Sequence, residues 1–372
     1  MKTLKKIEKF DEDQVEQLLT PIWSSGEIIN ETGVVVGEEG LVRLLSTPII
    51  GTVIVKNIFL DVLYEEGIDY IIEDNTIKRI KSGNLPYFEV DEYFRREPNA
   101  HIILKADPLK VEFSFPEQRY IYFSEGVEGF DKYISVSYQV DKALCEDLIV
   151  GDKRLQAFVE TLKETKRANI LLYGDSITVG CNATGTVYGG NVSPYLPDWN
   201  TLLKLHLEKK YSAEIMVSNQ AVGGWSTIEA VDNFEEKCGE LLSSTDLFCI
   251  GFGANDILTE IEQYKQRIKI LIDGYLQANP NGNVLLYSTL LPNNQAIGWR
   301  TNHALFEQVL LDVAAEYKQV GVAKISTVFL WLEAQGKPTR DLLANSINHP
   351  NDFGVRVYAQ TLLKTLLGEE FL

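Results

Sequence analysis

The sequence predicts an α/β protein, a three-layer α/β/α parallel sheet preceded by an N-terminal β-sandwich of jelly-roll type. Two observations predict it. From about residue 152 onward, continuous apolar runs alternate with stretches of helical spacing, as in a parallel sheet buried on both faces. Before that, from about 24 to 140, short β-type runs are broken by turn residues at intervals of about ten, as in an antiparallel sandwich.

A short helix over 11–19 comes first. The sandwich strands follow at 33–37 (GVVVG), 51–56 (GTVIVK), 67–72 (GIDYII), 101–104 (HIIL), 111–115 (VEFSF), 120–123 (YIYF) and 133–138 (YISVSY). The last three alternate in side-chain type. Residues 1–150 are assigned to this accessory domain and 151–372 to the parallel-sheet domain, each with its own core. In the second domain a helix over 153–163 carries apolar Leu155, Phe158, Val159 and Leu162 at helical spacing. Strands are expected at 169–173, 214–218, 246–251, 283–288 and 322–325. Helices are expected near 199–209, 227–240, 259–278, 300–319 and 353–367.

Composition narrows the function. The 372 residues carry 53 acids against 35 bases, a formal net charge of -18. No basic block exists to neutralise phosphates, so nucleic acid and anionic membrane are excluded as expected partners. The N-terminus lacks the apolar stretch of a signal peptide, which makes a cytoplasmic location the expectation. Cys145, Cys181, Cys238 and Cys249 show no metal-binding spacing and read as reduced thiols. No metal or organic cofactor is expected.

Ligands of a parallel sheet bind beyond the carboxyl ends of its strands. The first strand ends in Gly174-Asp175-Ser176. A serine after a tight turn and before a helix can be an exposed nucleophile or a plain helix N-cap. The second strand runs into Gly223-Gly224, whose N–H groups could face a ligand or simply form a turn. The third ends in Gly253-Ala254-Asn255-Asp256, where the amide could donate to an oxyanion or cap a helix. After the last strand, His349 lies in a polar turn, Asn345-Ser346-Ile347-Asn348-His349-Pro350-Asn351-Asp352. A nucleophile, two oxyanion donors and a base converging on one sheet edge are what acyl transfer requires.

GDS, the Gly turn, GAND and HPND, in that order across about 170 to 360, resemble the SGNH (or GDSL) hydrolases, which have a flavodoxin-like sheet. The resemblance implies a carboxylic ester hydrolase with Ser176 as nucleophile and His349 as base. It also implies an oxyanion hole made by the Ser176 N–H, the Gly224 N–H and the Asn255 side chain. The family's Asp three residues before the His is replaced by Ser346. Three readings follow. A backbone carbonyl or a neutral side chain holds His349, giving a Ser–His dyad; a carboxylate such as Asp341 or Asp352 swings in; or the enzyme is weak or dead. The sequence favours the dyad, with Ser346, Asp341 and Asp352 as candidates to orient His349.

Asp175, Trp225, Tyr188 and Trp199 are expected to border the substrate, although Trp199 could equally pack the following helix. A β-sandwich fused to such a domain is similar to arrangements in carbohydrate esterases. The expected substrate is a small-molecule or glycan ester, O-acetyl carbohydrate first. A general lipase, arylesterase or thioesterase and a weakly catalytic carbohydrate-binding module are the alternatives.

Overall fold

The structure, a computed structural model, describes residues 1–371. Five parallel strands form the centre: β1 (Arg167–Gly174), β2 (Glu214–Asn219), β3 (Leu247–Gly251), β4 (Asn283–Tyr287) and β5 (Val320–Ala323). Their order is β2-β1-β3-β4-β5. This is the flavodoxin-like order, and it reverses between β1 and β3, where a crevice opens at the strand ends.

Successive side chains of a strand point to opposite faces, and here both faces are buried. Ile170 and Leu172 of β1 join one core, and Leu171 and Tyr173 join another. The first face is covered by α1 (Gln156–Thr165), α2 (Trp199–Tyr211), α6 (Ile325–Ala334) and α7 (Asp352–Leu367). The second is covered by α3 (Phe234–Leu242), α4 (Ile261–Ala278) and α5 (His303–Ala314).

Local chemistry sets the helix starts. The Asp198 carboxylate accepts from Thr201 N at 2.8 Å, and Asn351 Oδ1 accepts from Gly354 N at 3.1 Å. These bonds satisfy N–H groups that a helix start leaves free. The helix expected over 227–240 is interrupted at Asn233, giving Thr227–Asp232 and then α3. Helix α6 was not expected. It follows β5 almost directly and buries Val328, Phe329 and Leu332, so the apolar run hides the change of period.

The N-terminal region is less regular than the sequence suggests. Its main sheet is antiparallel, in the order Lys2–Thr3, Val62–Leu63, Ile54–Asn57, Tyr133–Gln139, Glu27–Val34. A three-stranded sheet joins Leu41–Arg43, Thr76–Arg79 and Tyr70–Glu73, and Phe94–Arg95 pairs with Tyr120–Ile121. Residues 101–104 and 111–115 are not strands. In the second segment Phe113 and Phe115 pack against Phe94 at centroid distances of 5.9 and 5.6 Å. Alternation there reports ring packing without a hydrogen-bonded neighbour.

The two regions share one large buried cluster. Val15, Trp23, Val136 and Tyr138 belong to the same buried cluster as Leu202, Phe353 and Leu362. A buried ion cluster also joins them. Lys337 Nζ lies 2.6 Å from Glu31 and 3.3 Å from Asp341, and donates to Thr32 O at 2.7 Å. Arg340 lies 2.7 Å from Glu112. No described helix is long and apolar enough to cross a membrane.

Candidate active site

At the end of β1, the chain passes so close to β3 that only glycine fits. A Cβ on Gly174 would stand 2.5 Å from Gly251 O and 2.1 Å from Thr178 Oγ1. The next residue, not the serine, caps the short helix Ser176–Val179: Asp175 Oδ1 accepts from Ile177 N at 3.0 Å. Ser176 is thereby the first helical residue, and its hydroxyl is released from capping. The geometry removes the N-cap reading of this serine. Ser176 Oγ lies 2.8 Å from His349 Nε2, with the two residues 7% and 6% exposed.

Asp175 itself is buried. Burial pushes its carboxyl up to about 7, against the opposing pull of the Ile177 N–H and the charge of His349. The Ala254 N–H also holds it, which links the serine turn to the loop after β3. Asp175 is thus a brace between two loops and does not face substrate.

The turn that carries His349 is organised by Asn345. Its Oδ1 accepts from the N–H groups of Ile347, Asn348 and His349, at 3.0, 2.9 and 3.0 Å. One short side chain therefore fixes three successive peptides and aims the imidazole at β1. Ser346, at φ +66°, points away. Its hydroxyl is buried beside Tyr93 and Tyr133, and its carbonyl accepts from Asn293 Nδ2 at 2.8 Å.

The other nitrogen of His349 meets two groups that the sequence did not single out. Asn182 Oδ1 lies 2.6 Å from Nδ1. Glu125 Oε2 lies 3.0 Å from the same atom, off the line of a hydrogen bond to it. Asn182 is buried at φ +70°, a conformation asparagine tolerates better than most residues. Its Nδ2 donates to the Glu125 carbonyl at 2.8 Å. Glu125 Oε1 accepts from Asn345 Nδ2 at 3.2 Å. Burial works to raise the Glu125 carboxyl, but His349 and Asn345 outweigh it and leave it below its ordinary value.

Asp341 and Asp352, the carboxylates expected as candidates, are engaged elsewhere. Asp341 accepts from Val34 N at 3.2 Å and faces Lys337. Asp352 accepts from Thr184 N and Thr184 Oγ1, both at 2.8 Å.

Across the crevice, Gly223 lies against the serine, since a Cβ there would stand 3.7 Å from Ser176 Cβ. Gly224 follows at φ +82° with open space around it, so only a glycine is comfortable there and its peptide is free to meet a ligand. Asn255 Nδ2 donates to Trp225 O at 2.9 Å, which ties the loops after β2 and β3 together. An amide carries two N–H bonds, so one remains for a ligand. Asp256, beside it, accepts from Thr227 Oγ1 at 2.5 Å and from Thr259 Oγ1 at 3.0 Å. His303, the first residue of α5, supports the same loop, with Nε2 lying 3.2 Å from Ala254 O. This arrangement can add a serine oxygen to a carbonyl and hold the resulting anion.

Comparison with known proteins gives the family. The model of the GDSL-like lipase/acylhydrolase family matches residues 172–357, half of the chain. The chain belongs to this family. A search of curated proteins gives no match. Among solved structures, a two-domain esterase (CEX) active on acetylated mannans, co-crystallised with mannopentaose, is 20% identical with a TM-score of 0.45. That alignment covers 57% of this chain and 52% of the other, so this chain matches about half of that protein's length. An acetylxylan esterase from Geobacillus stearothermophilus, Axe2, is 19% identical over 55% of this chain and 95% of its own, with a TM-score of 0.44. LAE5, described as an α/β hydrolase enzyme from the metagenome of Lake Arreo, Spain, is 18% identical, over 53% and 93%, with a TM-score of 0.42.

The aromatic residues expected around the cleft of this GDSL-like hydrolase fall into different places. Trp199 is 1% exposed; its Nε1 donates to Ile177 O at 2.8 Å and its ring packs on Tyr287. It supports the serine turn from behind and cannot touch substrate. Trp225 is half-buried, edge-on to Tyr173 with Lys237 over its ring. Tyr188 is 61% exposed, its hydroxyl 4.0 Å from Cys181 Sγ. A hollow of about 330 Å³ between the N-terminal segment and α7 is lined by Phe10, Leu18, Asp352 and Arg356, not by Ser176 or His349.

Asn182 could have drawn notice, because it sits in the polar loop directly after the serine turn. Glu125 carries no signal, because nothing in a turn of the N-terminal region marks it as a neighbour of residue 349.

Proposed function

We propose that this chain is a serine esterase that hydrolyses small acyl esters, with O-acetyl groups on carbohydrate as the leading substrate class. The observation that carries the reading is the 2.8 Å contact between Ser176 Oγ and His349 Nε2, at a serine whose capping duty Asp175 has taken over. Asn182 accepting at Nδ1 keeps the proton on that nitrogen and leaves the Nε2 lone pair for the serine. Ser176 Oγ attacks the acyl carbonyl while its proton passes to Nε2. The oxyanion faces the Ser176 and Gly224 N–H groups and the Asn255 amide. Collapse breaks the ester C–O bond, and the leaving oxygen takes the proton from Nε2. Water then attacks the acyl-serine, giving its proton to His349; the acid leaves and Ser176 recovers its proton.

Trp225, directly after Gly224, edge-on to Tyr173 and with Lys237 over its ring, supports a small acyl group as the side chain nearest in sequence to close the acyl side. The exposed Tyr188 ring offers a flat apolar face of the kind sugars stack on. The acidic protein fits a neutral substrate better than an anionic one.

The test is hydrolysis of p-nitrophenyl acetate by wild type, Ser176→Ala and His349→Ala, with folding checked by circular dichroism. Each variant is expected to lose about 10⁴-fold or more in kcat. Turnover that survives in folded Ser176→Ala removes the serine mechanism. Acyl length then sharpens the substrate. A drop beyond acetyl supports the acetylesterase reading, and a preference for octanoyl points to a general esterase.

A further inference from the structure

We infer that Glu125, from the N-terminal region, is a positioning residue that supplies the negative charge missing from the late histidine block, with its work divided from that of Asn182. This rests on the Ser176–His349 reading above. In the usual arrangement one carboxylate both fixes the imidazole tautomer and stabilises the imidazolium. Here the two tasks sit on two side chains. Asn182 lies 2.6 Å from Nδ1 as a neutral acceptor and fixes the tautomer. Glu125 lies 3.0 Å from the same nitrogen, off its bond direction, and acts through charge.

The geometry is built, not incidental. Glu125 is gripped at three atoms: its carbonyl by Asn182, Oε1 by Asn345, and Oε2 against His349. Asn182 and Asn345 therefore touch both the histidine turn and the glutamate. The Glu125 turn is closed on its own side, where Ser124 Oγ accepts from Gly126 N at 3.1 Å and donates to Glu128 Oε2 at 2.7 Å. Oε2 is shielded from solvent yet meets no hydrogen-bond donor. A buried carboxylate oxygen without a donor is costly unless a positive charge arrives beside it. Proton transfer from Ser176 creates that charge on His349.

The other charged or titratable groups near this point are few. Asp175 faces His349 from the serine turn, but its carboxyl is held up by burial and spends its oxygens on backbone N–H groups. Cys181 and Tyr188 flank Glu125 on the loop after the serine, and burial of the Cys181 thiol pushes it up to about 11. Asp341 and Asp352 are turned to Lys337 and Thr184. Glu125 is thus the carboxylate placed to compensate the imidazolium. Its side chain is 38% exposed, which weakens its effect below that of a fully enclosed acid.

The test compares wild type with Glu125→Gln and Glu125→Asp, reading kcat and kcat/KM against pH. Gln keeps the size and can still meet Asn345, so the fold is retained. Glu125→Gln is expected to lower kcat by about ten- to a hundredfold, less than the 10⁴ of an enclosed triad acid. Its acidic limb of kcat/KM moves to lower pH by about one unit, because protonated His349 has lost its charge partner. Glu125→Asp recovers part of both effects. A folded Glu125→Gln with kcat within twofold of wild type and an unmoved acidic limb overturns the proposal. Titration of the His349 ring by NMR reads the same charge without turnover: a midpoint unchanged in Glu125→Gln defeats it, and a downward move supports it. Failure of the esterase reading is seen separately, as hydrolysis that does not depend on Ser176.

Discussion

The two regions of this chain differ in how they hold their residues, and the difference explains what each contributes. The parallel-sheet region places chemistry by repetition. Strands buried on both faces end at one edge, and Ser176, Gly224, Asn255 and His349 follow those ends or the turn before the last helix. The N-terminal region has short strands and long irregular connections, and it places Glu125 through three polar contacts in a turn. A regular frame can position residues that are neighbours in topology. Bringing a carboxylate from residue 125 to residue 349 takes an irregular loop, held by side chains of the frame.

That comparison treats the two regions as one cooperative unit, and Lys337 is where it can be broken most severely. The Lys337 ammonium, wholly buried, sits between Glu31 and Asp341, and their charges keep it above its ordinary value despite burial. Lys337→Met leaves buried Glu31 without its cation and Asp341 with only Arg340, at 3.9 Å, an expected loss of about 3–5 kcal/mol. Urea unfolding followed by far-ultraviolet circular dichroism and tryptophan fluorescence checks this. Both signals should fall together, at a lower midpoint than in wild type. Two separated transitions, or an unchanged midpoint, mean that the regions are independent and the shared core holds little.

The same contrast sets what was legible in the sequence. The parallel strands were visible because burial on both faces leaves near-continuous apolar runs such as Asn169-Ile170-Leu171-Leu172-Tyr173. Helix α6 was not, because its own apolar run continues that of β5. The strand pattern of the N-terminal region was half legible. Tyr133–Gln139 pairs on both sides, whereas 111–115 alternates only because its rings pack on Phe94. At the site, Ser176 and His349 stood out by residue type and place in the chain. The replacement of the family's acid by Ser346 was legible as a gap. What fills it was not, since the contact between Glu125 and His349 spans more than two hundred residues and follows no period. Asp341 and Asp352 were nearer in sequence but belong to other networks, so proximity along the chain misled.

Asn255 sharpens the comparison within the regular half. Its amide ties two loops through Trp225 O and, in the proposed mechanism, also donates to the oxyanion, and the two duties can be separated. Asn255→Ala is expected to lower kcat for p-nitrophenyl acetate by about 10²–10³, the cost of one oxyanion-hole donor, with KM little changed. A kcat within threefold of wild type would show that bracing Trp225 is its whole role and that the two backbone N–H groups suffice.

The smallest expected effect comes from Asp352, the carboxylate three residues after the histidine. Burial pushes its carboxyl up to about 6 from the ordinary 3.8, against the two bonds from Thr184 and the charge of Arg356. A carboxyl raised on folding gives its stabilising contribution below about pH 4 and loses it as the pH rises through about 6. Asp352→Asn keeps an acceptor for Thr184 N and never acquires the buried charge. Its unfolding free energy relative to wild type is therefore expected to rise by about 2–3 kcal/mol between pH 4 and pH 8. Turnover should stay within about threefold, since Asp352 spends both oxygens on Thr184 and none on His349. A large loss of kcat would reassign the charge compensation from Glu125 to Asp352. The irregular N-terminal region would then lose its claim on the chemistry, so activity and stability should be measured on the same folded preparation.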